Sequence, residues 1–160
     1  MAGKGNSEVC AGEPRTRVLA AGASGFSAAT TYGAGMIIIP AVVSLTLLGA
    51  LAVFQALLAA GLPLGRFAWG GRHEVLPPRL RAGSVVSIAL YADFAVLILE
   101  TAGVLDLLPD GFAAVAIWVL TGYLALGIAM NAVSRSRPER LVMTPVVALL
   151  AVCCLALAVQ

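Results

Sequence analysis

The chain has 160 residues, of which 61% are hydrophobic and 11% are charged, whereas soluble domains average about 45–50% apolar and about 25% charged residues. This composition predicts an integral membrane protein and excludes an ordinary soluble domain. The formal net charge of +2 is too small for a nucleic-acid partner, which requires a concentrated basic surface.

The cysteines give no reason to expect a disulfide, a metal site or a cofactor. Cys10 is isolated, and Cys153 and Cys154 are adjacent within an apolar run. Neighbouring cysteines on a helix point in different directions and rarely bridge. With no CxxC pair and no cluster of Cys and His, zinc ligands are missing, so we interpret the cysteines as small apolar helix residues.

Four long apolar stretches predict an all-α fold, a four-helix transmembrane bundle of residues 36–160. Residues 1–35 are rich in small and polar residues and lack such a stretch, which predicts a disordered or dispensable tail. Whether this tail belongs to the native product is left open, since Met36 directly opens the first span. The helices are predicted at about 36–60, 82–105, 111–134 and 139–159, and the short second and third connections predict antiparallel neighbours.

The second span carries two acids, Asp93 near its middle and Glu100 nearer its outer end. An acid at the centre of a membrane costs about 2.5–3.5 kcal/mol on insertion scales, so it needs a partner, a proton or water. Because the two acids are seven residues apart, they share one helix face. Apart from Arg140 at the start of the fourth helix, no span contains Lys, Arg or His to pair with them, so we expect Asp93 to be protonated, hydrated or coordinated by an ion.

The third span offers the expected neighbours of these acids. Depth matching of antiparallel helices places Glu100 level with Trp118, and Asp93 within one turn of Thr121. These two residues share a face with small residues, which predicts close packing of another helix there. We therefore predict that Asp93, Glu100, Thr121 and Trp118 bind a ligand or a proton.

The longest connection, residues 61–81, predicts an interfacial loop. Trp69 resembles an aromatic anchor at the level of the lipid headgroups, and Arg72 suits their phosphates. His73 and Glu74 are the one pair in a loop that suits acid–base chemistry, but no nucleophile or third ligand accompanies them. An enzyme is therefore the less favoured interpretation.

The third connection has the sequence of a helix start. Ser136 and Glu139 have the spacing of a capping box, and Pro138 lies in the first turn. Together with Ala68-Trp69-Gly70-Gly71, the run from Ser134 to Arg140 resembles a group of short bacterial four-span membrane proteins; His73, Leu76-Pro77 and Met143-x-Pro145 extend the resemblance. It covers roughly residue 61 to the C-terminus and implies a fold but no activity. The chain does not resemble small multidrug exporters, whose key acid lies in the first span.

The arginines predict the orientation. The two connections at residues 61–81 and 134–140 hold seven arginines, whereas the connection between the second and third spans holds none. The positive-inside rule then places these two loops in the cytoplasm and both termini outside. The resemblance to bacterial four-span proteins implies that the membrane is the inner membrane of a bacterial cell.

Two classes of function remain open. The chain is either a small transport or ligand-binding bundle that uses Asp93 and Glu100, or an accessory subunit that pairs these acids with charges of a partner membrane protein. A lipid-active enzyme using His73 is a third, weaker reading. The expected partners are the lipid bilayer and either a second copy or another membrane protein.

Overall fold

The structure is a computed structural model that describes the backbone of residues 15–109 and 111–160, and the side chains of residues 35–109 and 111–160. Four helices follow one another: α1 (Arg15–Ala60), α2 (Pro78–Thr101), α3 (Phe112–Ala132) and α4 (Arg137–Ala158). The described residues contain no strand. Residues 35–160 form one compact unit.

The prediction of a membrane protein with four spans is confirmed. The helical segments Gly35–Ala60, Pro78–Thr101, Phe112–Ala132 and Arg137–Ala158 are each long and apolar enough to cross a membrane. The predicted tail at residues 1–35 falls partly on residues 1–14, which lie outside the described residues. From Arg15 the described backbone belongs to α1, and whether residues before Met36 are dispensable stays a prediction.

Helix α2 begins and ends four residues earlier than predicted. Pro78 occupies the first turn, where its missing N–H and fixed φ suit a helix start. At the other end, Gly103 has φ +71°, and its N–H donates to Glu100 O at 2.9 Å while the Val104 N–H donates to Leu99 O at 2.9 Å. This Schellman motif satisfies the last carbonyls and ends the helix.

Two hydrophobic clusters hold residues 35–160 together. The larger one lies between all four helices and includes Leu48, Ile98, Leu120 and Leu150. The smaller cluster consists of Leu58, Ala68 and Leu76 under the first connection, where two short 3₁₀ turns, Gly65–Phe67 and Trp69–Gly71, lie against α4. Helix α3 packs along α4 and, over a smaller contact, along α2, which agrees with the expected neighbours.

Candidate functional site

The predicted ligand-binding residues of α2 and α3 line none of three cavities that lie on the arginine-rich side of the bundle. Asp93 is exposed on the outside of the bundle, and Trp118 is 52% exposed. The Thr121 hydroxyl donates to the backbone oxygen of Ile117 at 2.8 Å. Helix α3 turns Ile117, Leu120 and Leu124 inward, so the face with Trp118 is directed outward.

Glu100 holds the connection between α2 and α3. Its carboxylate accepts hydrogen bonds from the Leu107 N–H at 3.1 and 3.0 Å and from the Leu108 N–H at 3.1 Å. These contacts fold residues 102–108 back over the end of α2. The side chain therefore has a local structural role, and its predicted role in ligand binding stays a prediction.

In the first connection, Trp69 and Arg72 are placed beside cavities, whereas His73 and Glu74 are not. Glu74 forms an ion pair with Arg66 at 3.6 Å, and both side chains are exposed. His73 is also exposed, and the described residues contain no group of His, Cys, Asp or Glu suited to a metal ion.

A cavity of about 170 Å³ lies inside the bundle on the arginine-rich side; we call it the inner cavity. Its polar side chains come one from each helix: Gln55 from α1, Tyr91 from α2, Asn131 from α3 and Glu139 from α4. Aromatic and apolar side chains complete the wall, namely Leu51, Phe54, Phe67, Ala68, Trp69, Met143 and Val147. Because Val147 lies eight residues beyond Glu139, the cavity reaches about 12 Å along α4 into the span.

Glu139 is the best-connected polar group of this cavity and is only 7% exposed. Its carboxylate accepts hydrogen bonds from the Gly70 N–H at 3.3 and 3.1 Å and a short one from the Ser134 hydroxyl. Gly70 belongs to the first connection and Ser134 to the third, so one carboxylate joins both loops.

The predicted cap of α4 is confirmed in part. Ser136 Oγ accepts from the Glu139 N–H at 3.5 Å, and the same hydroxyl donates to the backbone oxygen of Arg66 at 2.5 Å. The Ser136 N–H bonds to Ser134 Oγ at 3.2 Å instead of to Glu139. Glu139 is thereby released from the reciprocal bond of a capping box and bonds to Gly70 of the other loop.

Gln55 is the unsatisfied polar group of the cavity. The residue is 9% exposed, and its Oε1 atom is buried without a hydrogen-bond partner among the described residues. Three other buried hydroxyl oxygens lack partners, those of Ser44, Ser84 and Thr144, but none of them lines the inner cavity. A buried carbonyl oxygen without a donor costs about 1–3 kcal/mol, so Gln55 Oε1 is an acceptor in need of a donor.

Two further spaces adjoin the inner cavity. The outer cavity, of about 370 Å³, shares Asn131 and Glu139 with it and is also lined by Arg72 and Arg135. The apolar groove, of about 340 Å³, shares four residues with the inner cavity, namely Leu51, Phe54, Phe67 and Met143. The inner cavity thus lies next to a space lined by arginines and next to an apolar one.

Sequence reasoning did not identify this site. It interpreted Glu139 only as part of a helix cap. One signal was present, because Asn131 and Glu139 flank the same short connection and Gln55 lies five residues from the end of its span on the same side. Depth matching at this end of the bundle would have brought the three together.

Comparisons with protein-family models, curated proteins and solved structures found no match to this chain. The resemblance to short four-span membrane proteins therefore stays a prediction, and the function must be inferred from the geometry.

Proposed function

We propose that this multi-pass membrane protein binds a small organic cation, an amine or ammonium compound, in the inner cavity. The observation that supports the proposal is a buried carboxylate, Glu139, on a cavity wall with a buried and unpartnered oxygen, Gln55 Oε1. Among the described residues, no Lys or Arg nitrogen lies within ion-pair distance of Glu139. The one ion pair in that part of the chain joins Arg66 to Glu74. A buried carboxylate without a counter-charge favours a cationic ligand.

The remaining groups of the cavity suit the same ligand. The Asn131 side-chain N–H donates to the backbone oxygen of Gly127 at 2.9 Å, which leaves the side-chain oxygen of Asn131 to accept. Together with Gln55 and Glu139, this gives the wall three acceptors beside the Tyr91 hydroxyl, which suits a ligand with several donors. Aromatic faces attract cations by about 0.5–2 kcal/mol, and Phe67 and Trp69 supply such faces.

The volume limits the size of the ligand. The inner cavity measures about 170 Å³, only slightly more than the roughly 150 Å³ of an engineered cavity that binds benzene. A headgroup of that size is an alkylammonium or a small aromatic amine.

A titration of the purified protein tests the proposal. Trp118→Phe leaves Trp69 of the cavity wall as the one tryptophan, because the chain has two. We expect benzylamine, but not the neutral benzyl alcohol, to change the Trp69 emission in a saturable way. Glu139→Gln removes the charge and is expected to weaken benzylamine binding at least tenfold, which corresponds to about 1.4 kcal/mol.

Two variants make this result specific. Glu74→Gln makes the same charge change at an exposed site on the same side of the bundle and is expected to leave binding unchanged. Gln55→Leu removes the unpartnered acceptor without touching the hydrogen bonds of Glu139, and should also weaken binding. Equal responses to the amine and the alcohol, or equal affinities of Glu139→Gln and Glu74→Gln, would contradict the proposal.

We also propose the orientation that the seven arginines favour, with the connections at residues 61–81 and 134–140 in the cytoplasm of a bacterial cell and both termini outside. The inner cavity would then open toward the cytoplasmic side. Transport is the extension of ligand binding that this position favours, because the cavity penetrates the span without crossing it.

A second candidate function rests on Asp93. This acid faces outward at the middle of α2, where lipid would surround it, and an intramembrane acid requires a partner. Gly122, Ala125 and Ala129 of α3 are exposed as well, and small residues allow close helix contact. These observations favour an assembly subunit that contacts a second copy or another membrane protein through Asp93.

The size of the complex in mild detergent tests this second candidate. Asp93→Leu removes the polar contact, and Val96→Leu is the control because Val96 is an exposed apolar residue one turn away. A smaller complex for Asp93→Leu alone is the expected result. An unchanged size for both variants would remove the support for an assembly role.

A further inference from the structure

We propose that the ligand is an amphiphile that reaches the site from the bilayer, with its amine in the inner cavity and its hydrocarbon chain in the apolar groove. The inference rests on the proposed function, since it adds a chain to the cation already assigned to the inner cavity. It follows from the four side chains that line both spaces and from the chemistry of the groove.

The groove has no polar side chain. It lies between α1 and α4 beneath the first connection, and the residues that line it without lining the inner cavity are Leu47, Ala50, Leu64, Val142 and Val146. A polar extension of the ligand would lose its hydrogen bonds there without replacement. A saturated chain loses none, so hydrocarbon is the chemistry that fits.

The inner cavity and the apolar groove share four lining residues. Leu51 and Phe54 of α1, Phe67 of the first connection and Met143 of α4 line both of them. In the proposed pose the amine lies among Gln55 and Glu139, and the chain passes Phe54 to reach the adjoining groove. Met143 suits this position, because its unbranched thioether adapts to chains of different shape.

The groove is open toward lipid. Ala50 and Val142 line it and are exposed on the outside of the bundle. It follows α1 from Leu47 to Phe54, seven residues, or about 10 Å along the helix axis. A chain-bearing ligand dissolved in the leaflet could thus enter sideways, and its amine would then move to the carboxylate.

A chain-length series separates groove binding from partition into detergent. The probes are propylamine, hexylamine and the neutral hexanol, titrated against the Trp118→Phe protein with Trp69 emission as the signal. We expect hexylamine to bind at least tenfold more tightly than propylamine. Ala50→Phe, which fills the groove from a residue that does not line the inner cavity, should reduce that ratio at least fivefold and leave propylamine affinity unchanged.

A control variant and a second groove variant complete the experiment. Ala56→Phe adds the same ring at an exposed position of α1 that lines neither space, so it should keep the full ratio and corrects for detergent. Val146→Phe fills the groove from α4 and should repeat the result if Ala50→Phe folds poorly. An unchanged ratio in these groove variants, or hexanol binding as tightly as hexylamine, would overturn the amphiphile while leaving a small-cation site intact. No response to either amine would overturn both proposals.

Discussion

Replacing Glu139 by Ala should destabilise the protein far more than the same replacement at Glu74, although both glutamates lie on the arginine-rich side. Glu139 is 7% exposed and accepts from the Gly70 N–H and the Ser134 hydroxyl. Removing an acceptor from buried donors costs about 1–3 kcal/mol for each group left unpaired, and more when the lost partner is charged. We expect Glu139→Ala to lower the free energy of unfolding by about 2–4 kcal/mol.

Glu74 provides the matched control because its charge change is identical. Its ion pair with Arg66, at 3.6 Å, joins side chains that are 77% and 57% exposed. Exposed pairs contribute about 0–1 kcal/mol because water screens the charges and two long side chains must be ordered. Glu74→Ala should therefore unfold almost like the wild type.

The assay is unfolding of each purified protein by sodium dodecyl sulfate in mixed micelles, followed by circular dichroism. The midpoint for Glu139→Ala should fall clearly below the midpoints of the wild type and Glu74→Ala. Glu139→Gln keeps one acceptor oxygen, so its midpoint should lie between those of Glu139→Ala and the wild type. If Glu139→Ala and Glu74→Ala unfold at the same midpoint, the carboxylate does not join the two connections, and the reasoning is refuted.

Three further outcomes follow from the loops. Gly71→Ala should destabilise more than Gly70→Ala in the same assay. Both glycines have positive φ, which costs about 1–2 kcal/mol for an alanine. Only at Gly71 would the new Cβ also collide with the third connection, 2.4 Å from the Ser136 side chain. Equal losses of stability in the two variants would contradict this contact. Glu100→Ala should speed hydrogen exchange at the Leu107 amide and leave benzylamine affinity unchanged. Weaker benzylamine binding by this variant would support the predicted ligand role of Glu100. Reporters fused after Gln160 should read extracytoplasmic and reporters inserted in the first connection cytoplasmic, and a cytoplasmic C-terminus would reverse the orientation.

The spans were predictable from sequence because the bilayer imposes a length and an apolar composition on each of them. Their ends were less predictable. The second helix was expected to begin at about residue 82, yet Pro78 lies inside the first turn of α2. The early end of α2 depends on the backbone bonds around Gly103, a left-handed position that a glycine within an apolar run does not reveal by itself.

The direction in which a membrane helix faces was not predictable, and for this reason the outward position of Asp93 was not expected. In a soluble protein the apolar stripe of a helix marks the side that is buried. In a membrane span both the protein core and the lipid are apolar, so the pattern that would orient α2 is missing. Depth matching gave the level of Asp93 relative to Thr121 but not the rotation of either helix, and the structure turns Asp93 outward.

The inner cavity was missed for a related reason. Ser136 and Glu139 were read as a local motif, and the cap at Ser136 is indeed present. In a complete capping box the Glu139 carboxylate would accept from the Ser136 N–H. Here Ser134 Oγ accepts from that N–H instead. Because Ser134 is the acceptor there, the Glu139 carboxylate bonds to Gly70, 69 residues away in sequence. A single serine before the cap thus turns a helix-start residue into a link between two connections and a wall of the cavity, which no reading of the cap alone could have shown.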